Sequence, residues 1–230
     1  MYKGLTPTRY GNHPMKIFKE ILITLFVIAV VVLIPHSGIV PLPFAYSIPV
    51  LIFIWTFLKQ YKENFTTLGF SFKRFEIKAV LIGTLTAVLL FVLLNYAFFP
   101  LLEKIIKLPP VDLGGFNKVR HNTPFYIFIL AMGWIIGGFY EELVFHGFIF
   151  TRLEKLIAGK YAITLSFWIS NIIFALYHLQ LGIPGVINAL AAGIVYQALI
   201  LHYKRNMWYG IFCHAAFDTI ALTYIYLGNW

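Results

Sequence analysis

Residues 124–150 read PFYIFILAMGWIIGGFYEELVFHGFIF, and Glu141 and Glu142 are the only charged side chains in that stretch. An α-helix needs about 20 apolar residues to cross ~30 Å of hydrocarbon at ~1.5 Å per residue. The stretch is therefore long enough to span a bilayer. Apolar runs of similar length recur on either side of it, near Ile17–Ile34, Leu42–Leu58, Ile77–Phe99, Tyr161–His178, Pro184–His202 and Met207–Leu227. The expected fold is all-α, a polytopic membrane helix bundle of about seven transmembrane helices. No Gly/Ser/Pro-rich linker or internal repeat interrupts the runs, so residues 1–230 read as a single integral membrane domain.

Composition agrees with that reading. The chain of 230 residues is 60% hydrophobic and 12% charged, whereas about a quarter of residues are charged in soluble domains. Mean hydropathy is +0.81. The net charge of +9 does not point to nucleic acid, because the 18 Lys and Arg cluster between apolar runs and form no continuous stripe. Counted by alternate loops, 14 fall on one side and 4 on the other, the latter all between Lys104 and Arg120. The positive-inside rule then places the N-terminus in the cytoplasm and the C-terminus outside. The lone cysteine, Cys213, excludes an intrachain disulfide and a Cys-rich metal site.

The loop Phe65 to Arg74 reads as interfacial, with Phe65, Phe70, Phe72 and Phe75 turned to lipid and its basic residues to headgroups. Asn64-Phe65-Thr66 matches a glycosylation sequon, but on the predicted cytoplasmic side it is read as a chance match.

Inside apolar runs an ionisable side chain costs ~2.5–3.5 kcal/mol at mid-span, so each one asks for a reason. Glu141, Glu142 and His146 lie in the fourth run, His178 ends the fifth, and His214 and Asp218 lie in the seventh. Glu142 and His146 are four residues apart, as are His214 and Asp218, which puts each pair on one helical face. If runs four and five form a hairpin turning at Gly159-Lys160, Glu141 and His178 lie at nearly equal height, since they stand 18 and 19 residues from Gly159. His214 is eight residues past Asn206, or ~12 Å from that boundary, which places the site in the inner half of the bilayer. The charged tip around Arg152, Glu154, Lys155 and Lys160 must then protrude ~10–15 Å into water. Gly133 and Gly137-Gly138 allow close helix approach beside the site.

Two carboxylates and several imidazoles in a water-poor cavity form a hydrolase inventory with water as nucleophile. A Glu serves as general base, a neutral His orients water, and a further His donates to an oxyanion. The same groups suit zinc, with His178, His214 and Glu142 as three protein ligands and a fourth position open for water. Ligand counting does not separate these readings. The bland alternative is that the histidines, Asn171 and Asn188 merely hydrogen-bond helix to helix.

The segments Glu141-Glu142-Leu143-Val144-Phe145-His146-Gly147, Phe174-Ala175-Leu176-Tyr177-His178 and His214-Ala215-Ala216-Phe217-Asp218 resemble, in order and spacing, the three motifs of the CPBP family. These are the CAAX-protease and bacteriocin-processing intramembrane proteases, also called the Abi family. The resemblance covers about 124–227. It implies a membrane endopeptidase in a prokaryotic plasma membrane, acting on a peptide or lipidated protein substrate, with Glu141 as general base, His178 helping to activate water, and His214 and Asp218 stabilising the oxyanion. On this view no cofactor is required, although a zinc-dependent mechanism is the competing view of the family. One departure is that His146 stands where the family has Arg. An Arg would hold the Glu142 carboxylate at any relevant pH, and a His is expected to do so only while protonated. The rivals to proteolysis are a non-catalytic scaffold or bacteriocin-immunity protein, and a proton-coupled transporter.

Overall fold

The computed structural model describes residues 14–39, 42 and 44–229, which are helical with no strands. The N-terminal basic residues Lys3 and Arg9 lie outside the described residues. In chain order the α-helices are α1 (Pro14–Leu33), α2 (Ser47–Gln60), α3 (Ile77–Leu93), α4 (Phe99–Ile105), α5 (Thr123–Met132), α6 (Phe150–Ile157), α7 (Ala162–Tyr177), α8 (Gly182–His202) and α9 (Met207–Tyr226). A π-helical turn at Leu94–Phe98 joins α3 to α4, and a 17-residue π-helical stretch, Gly133–Ile149, joins α5 to α6. Thr123–Ile157 is thus one rod of 35 residues.

Among the described residues four helices are long and apolar enough to cross a membrane: Phe18–His36, Ile77–Ile105, Thr123–Ile157 and Leu179–His202. Two shorter apolar helices, Ser47–Gln60 and Ala162–Tyr177, accompany them. The second run begins later than expected, at Ser47. The fourth extends past Phe150 to Ile157. On α3, Leu81, Leu85 and Leu89 are 66%, 61% and 61% exposed, a stripe four residues apart on one helical face. Such a stripe is costly in water and at ease in lipid. The chain is an integral membrane protein.

α9 is the centre of the bundle. It packs along α3 on one side and the π stretch on the other, while α7 packs between α6 and α8. The buried core joins Ile54, Phe57 and Leu58 of α2, Leu68 and Phe70 of the following loop, and Phe145, Phe148 and Ile149 of the π stretch.

That loop departs in part from the interfacial reading. Phe70 is 8% exposed and packs on Phe139 and Trp208, and Phe65 joins the core, so only Phe72 and Phe75 are exposed. The cause is Gly69, whose left-handed φ of +98° lets the backbone turn inward against the Arg205 carbonyl, where any Cβ would collide. Arg74 likewise faces protein, donating to the carbonyls of Lys204 and Arg205 at 2.8 and 2.9 Å. The Asn64 side chain caps the turn that starts there, accepting from the Thr66 N–H at 2.9 Å.

The helix tip is also not simply solvated. Arg152 is 5% exposed, ion-paired with Glu63 and stacked over Phe57, Tyr61 and Phe148. Lys155 reaches the same carboxylate at 2.7 Å, and Glu154 takes both guanidinium nitrogens of Arg205 at 2.7 Å. Burial by itself would push Glu63 up, but Lys155 and Arg152 outweigh it and hold this carboxyl below its ordinary value.

Candidate active site

The π stretch carries Glu141, Glu142 and His146, all buried, and α9 brings His214 against them. Two glycines make this approach possible. A Cβ on Gly137 would run into the Asp218 carboxylate, and one on Gly210 would lie 2.6 Å from Glu142 Oε2.

Glu142 is fully enclosed between two imidazoles. His146 Nδ1 lies 3.0 Å from its Oε2, one turn along the same helix, and His214 Nδ1 lies 2.9 Å from its Oε1, across to α9. Both bonds are satisfied by imidazoles carrying the proton on Nδ1, an assignment made from the hydrogen-bond pattern. An Nδ1–H on His146 is enough for this bond. His146 Nε2 is buried without a protein partner.

Glu141 faces the other way. His178 Nε2 is 3.6 Å and His214 Nε2 is 3.9 Å from its Oε2, and Asp218 Oδ1 stands 3.7 Å from His214 Nε2. The α7 helix ends at Tyr177, so His178 sits on the turn into α8 with its Nδ1 donating to the Phe174 carbonyl at 2.9 Å. That bond fixes the tautomer and leaves the Nε2 lone pair aimed at Glu141.

These groups lie at the wall of a cavity of about 1210 Å³, lined by Glu141, His178, His214 and Asp218 but not by Glu142 or His146. Much of its remaining lining comes from one end of the bundle: Pro35 and His36, the end of the α3–α4 rod, residues of the connection 108–116, the start of α8 and the end of α9. Along α9 His214 is nearer the basic loops, as expected, yet the cavity opens towards the opposite end, the one poor in Lys and Arg. Beyond the site the π stretch is closed by buried Phe145, Phe148 and Ile149.

The metal set His178, His214 and Glu142 does not assemble. His214 meets Glu142 through Nδ1, whereas the nitrogen it presents beside His178 is Nε2. Among the described residues no group of three or more His, Cys, Asp or Glu is arranged to hold a metal ion. Asn171 is structural, donating to Gln197 Oε1 at 2.8 Å and to the Phe167 carbonyl at 2.7 Å. Asn188 is among the cavity-lining residues.

Two aromatic residues that residue chemistry alone did not single out shape the site. Tyr196 on α8 stacks on His214 with ring centroids 4.6 Å apart and planes at 21°. Phe174 stands edge-on to His178 at 4.7 Å and to His214 at 5.9 Å, and tilted against His146 at 5.1 Å. Phe174 thus gives the spacing of the second motif a cause, since its carbonyl orients His178 four residues on and its ring packs among three imidazoles.

Comparison with curated proteins and with solved structures gave no match. Residues 123–220, the segment that carries all three motifs, match the model of a protease family, Rce1-like, described as type II CAAX prenyl endopeptidase Rce1-like.

Proposed function

We propose that the chain is a seven-crossing intramembrane endopeptidase that hydrolyses a peptide bond of a membrane-associated or prenylated-type substrate, using water activated by Glu141. One observation carries this reading: Glu141 Oε2 has His178 Nε2 at 3.6 Å and His214 Nε2 at 3.9 Å at the wall of a cavity large enough for a peptide segment. These gaps exceed a hydrogen bond, and a water ~2.8 Å from both Glu141 and His178 fits between them.

In this reaction Glu141 takes a proton from the water as its oxygen bonds to the scissile carbonyl carbon. His214, carrying a proton on each ring nitrogen, keeps its Nδ1–H bond to Glu142 and donates to the oxyanion through Nε2, and Asp218 supports that imidazolium from the next turn. The proton on Glu141 then passes to the amide nitrogen as the C–N bond breaks. Glu142, turned from the cavity, positions His214 and does not touch substrate. The zinc set that includes Glu142 does not converge, so no step is routed through a metal. The protein would sit in a prokaryotic plasma membrane with its N-terminus and basic loops in the cytoplasm.

The test is peptide release by purified protein in lipid nanodiscs, read by mass spectrometry on matched prenylated and unlipidated peptides, with Glu141→Gln as control. Release by the wild type alone supports the proposal, and chelator-insensitive release supports the metal-free form. A folded wild type that releases nothing would favour the scaffold or immunity reading, for which the Glu142–His146–His214 lattice would be simple helix fastening. Proton-coupled transport has less support, because apolar side chains close the π stretch below the site.

A further inference from the structure

A second concave site lies at the opposite, basic end of the bundle. It is an open cleft of about 430 Å³ between the start of α3 and the α8–α9 turn, lined by Lys73, Arg74, Lys78, His202, Tyr203, Lys204 and their neighbours. Lys73, Lys78, His202 and Lys204 are exposed. Glu76, the one carboxylate in the lining, accepts from Tyr209 Oη at 3.0 Å and from Asn206 Nδ2 at 3.3 Å, so it is engaged with the protein wall.

The walls are built. Lys204 and Arg205 are consecutive non-glycine residues in the left-handed region, at φ +56° and +58°, a conformation that persists only where the surroundings impose it. Arg74 imposes it here by holding both of their carbonyls, and Asn206 Nδ2 returns a bond to the Arg74 carbonyl at 2.9 Å. Lys78 Nζ is steadied 5.6 Å over the Tyr203 ring. Beside the cleft Phe72, Ile77 and Phe75 are 76%, 65% and 46% exposed. Such an exposed apolar rim beside basic side chains suits a surface seated where lipid headgroups begin.

We propose that the cleft binds the phosphate of an anionic phospholipid headgroup, with Lys73, Lys78 and Lys204 as the cationic contacts and the exposed Phe72–Ile77 rim seated in the acyl boundary. The binding is independent of the proteolytic reading, since it uses none of the residues of the candidate active site.

Native mass spectrometry of the full chain released from nanodiscs would test it, with phosphatidylcholine alone or with added phosphatidylglycerol. Retained phosphatidylglycerol is expected to fall on the order of tenfold or more when Lys73, Lys78 and Lys204 are all changed to Gln, and to be restored by Arg at the same positions. The triple change Lys59→Gln, Lys62→Gln, Lys160→Gln removes equal charge from the same end outside the cleft and is expected to leave retention nearly unaltered. Equal loss in both triples would overturn the site in favour of diffuse surface charge. Displacement of the lipid by millimolar inorganic phosphate would reassign the cleft to a soluble phosphate. Thermal unfolding of each variant establishes that the folded protein is being read.

Discussion

His214 Nδ1 lies 2.9 Å from Glu142 Oε1 while its Nε2 lies 3.9 Å from Glu141 Oε2, so one imidazole joins the buried glutamate to the cavity-facing one. The two neighbouring carboxylates are thereby given different surroundings, which the Glu141/Glu142 pair in the sequence does not distinguish.

Replacing Glu141 by Gln keeps shape and removes the proposed base. Peptide release is expected to fall by roughly 10²- to 10⁴-fold, with the unfolding temperature within a few degrees of wild type. Retention of wild-type rates in the nanodisc assay would remove Glu141 from the mechanism.

His146 is one of two donors to Glu142. His146→Ala is expected to cost ~1–3 kcal/mol of stability by leaving Glu142 Oε2 unpaired in a dry site, and to lower release without abolishing it, because His214 remains. His146→Arg is expected to support activity. Since an Nδ1–H is enough for this bond, the ratio of Ala-variant to wild-type activity should be flat from pH 6 to 9. A ratio rising steeply with pH would show that a protonated His146 is required after all.

Gly133 and Gly137 lie one helical turn apart and differ in the room they leave. A Cβ at Gly133 meets Leu222 and Asp218 at the ordinary distances of 3.5 and 3.6 Å, whereas at Gly137 it collides with Asp218 and comes within 3.3 Å of His214 Nε2. Gly133→Ala is expected to be tolerated and Gly137→Ala to lose most activity. Equal activity of the two would show that the α9 approach is looser than the structure has it.

Much of this arrangement was legible in the sequence. Hairpin arithmetic from Gly159 brings Glu141 level with His178, and four-residue spacing pairs Glu142 with His146 and His214 with Asp218. What was not legible is which side of each helix faces protein. Lipid and core are equally apolar, so nothing in Phe65, Phe70, Phe72 and Phe75 as residue types says that the first two turn inward. The same ambiguity hid Tyr196 behind His214. The winding of residues 133–149 also escaped, because the i+5 bonding of a π-helix leaves no mark in an apolar pattern. Arg152 was assigned to water on its charge, and its partner Glu63 is distant in sequence.

Glu63 gives an acid-stability prediction. Its carboxyl is held below its ordinary 4.5 by Lys155 and Arg152, against the upward push of burial. A carboxyl depressed in the folded state contributes stability that is present above its unfolded value and is lost as pH falls through its folded one. Stability should therefore decline below about pH 4.5, and Glu63→Gln should flatten that decline. At neutral pH the same variant is expected to lose roughly 3 kcal/mol, since Arg152 is left buried without its carboxylate. Thermal unfolding across pH 3 to 8 measures both.

Orientation is testable by cysteine labelling at introduced sites. With 14 Lys and Arg on one side and 4 on the other, a Cys at Lys62 is expected to react only from the cytoplasmic face and one at Lys118 only from outside. The reverse pattern would invert the protein in the membrane.

Glu63 also lies 60 residues before the stretch that matches the protease family, and it clamps Arg152 and Lys155 inside that stretch. Ile54, Phe57, Leu58, Leu68 and Phe70, also outside it, fill the same core as Phe145 and Phe148. The recognisable segment is accordingly not a portable module. Excised as 123–220, or grafted onto another scaffold, it would expose the apolar back of the helix that carries its glutamates, because the earlier helices supply part of the core in which that helix is set.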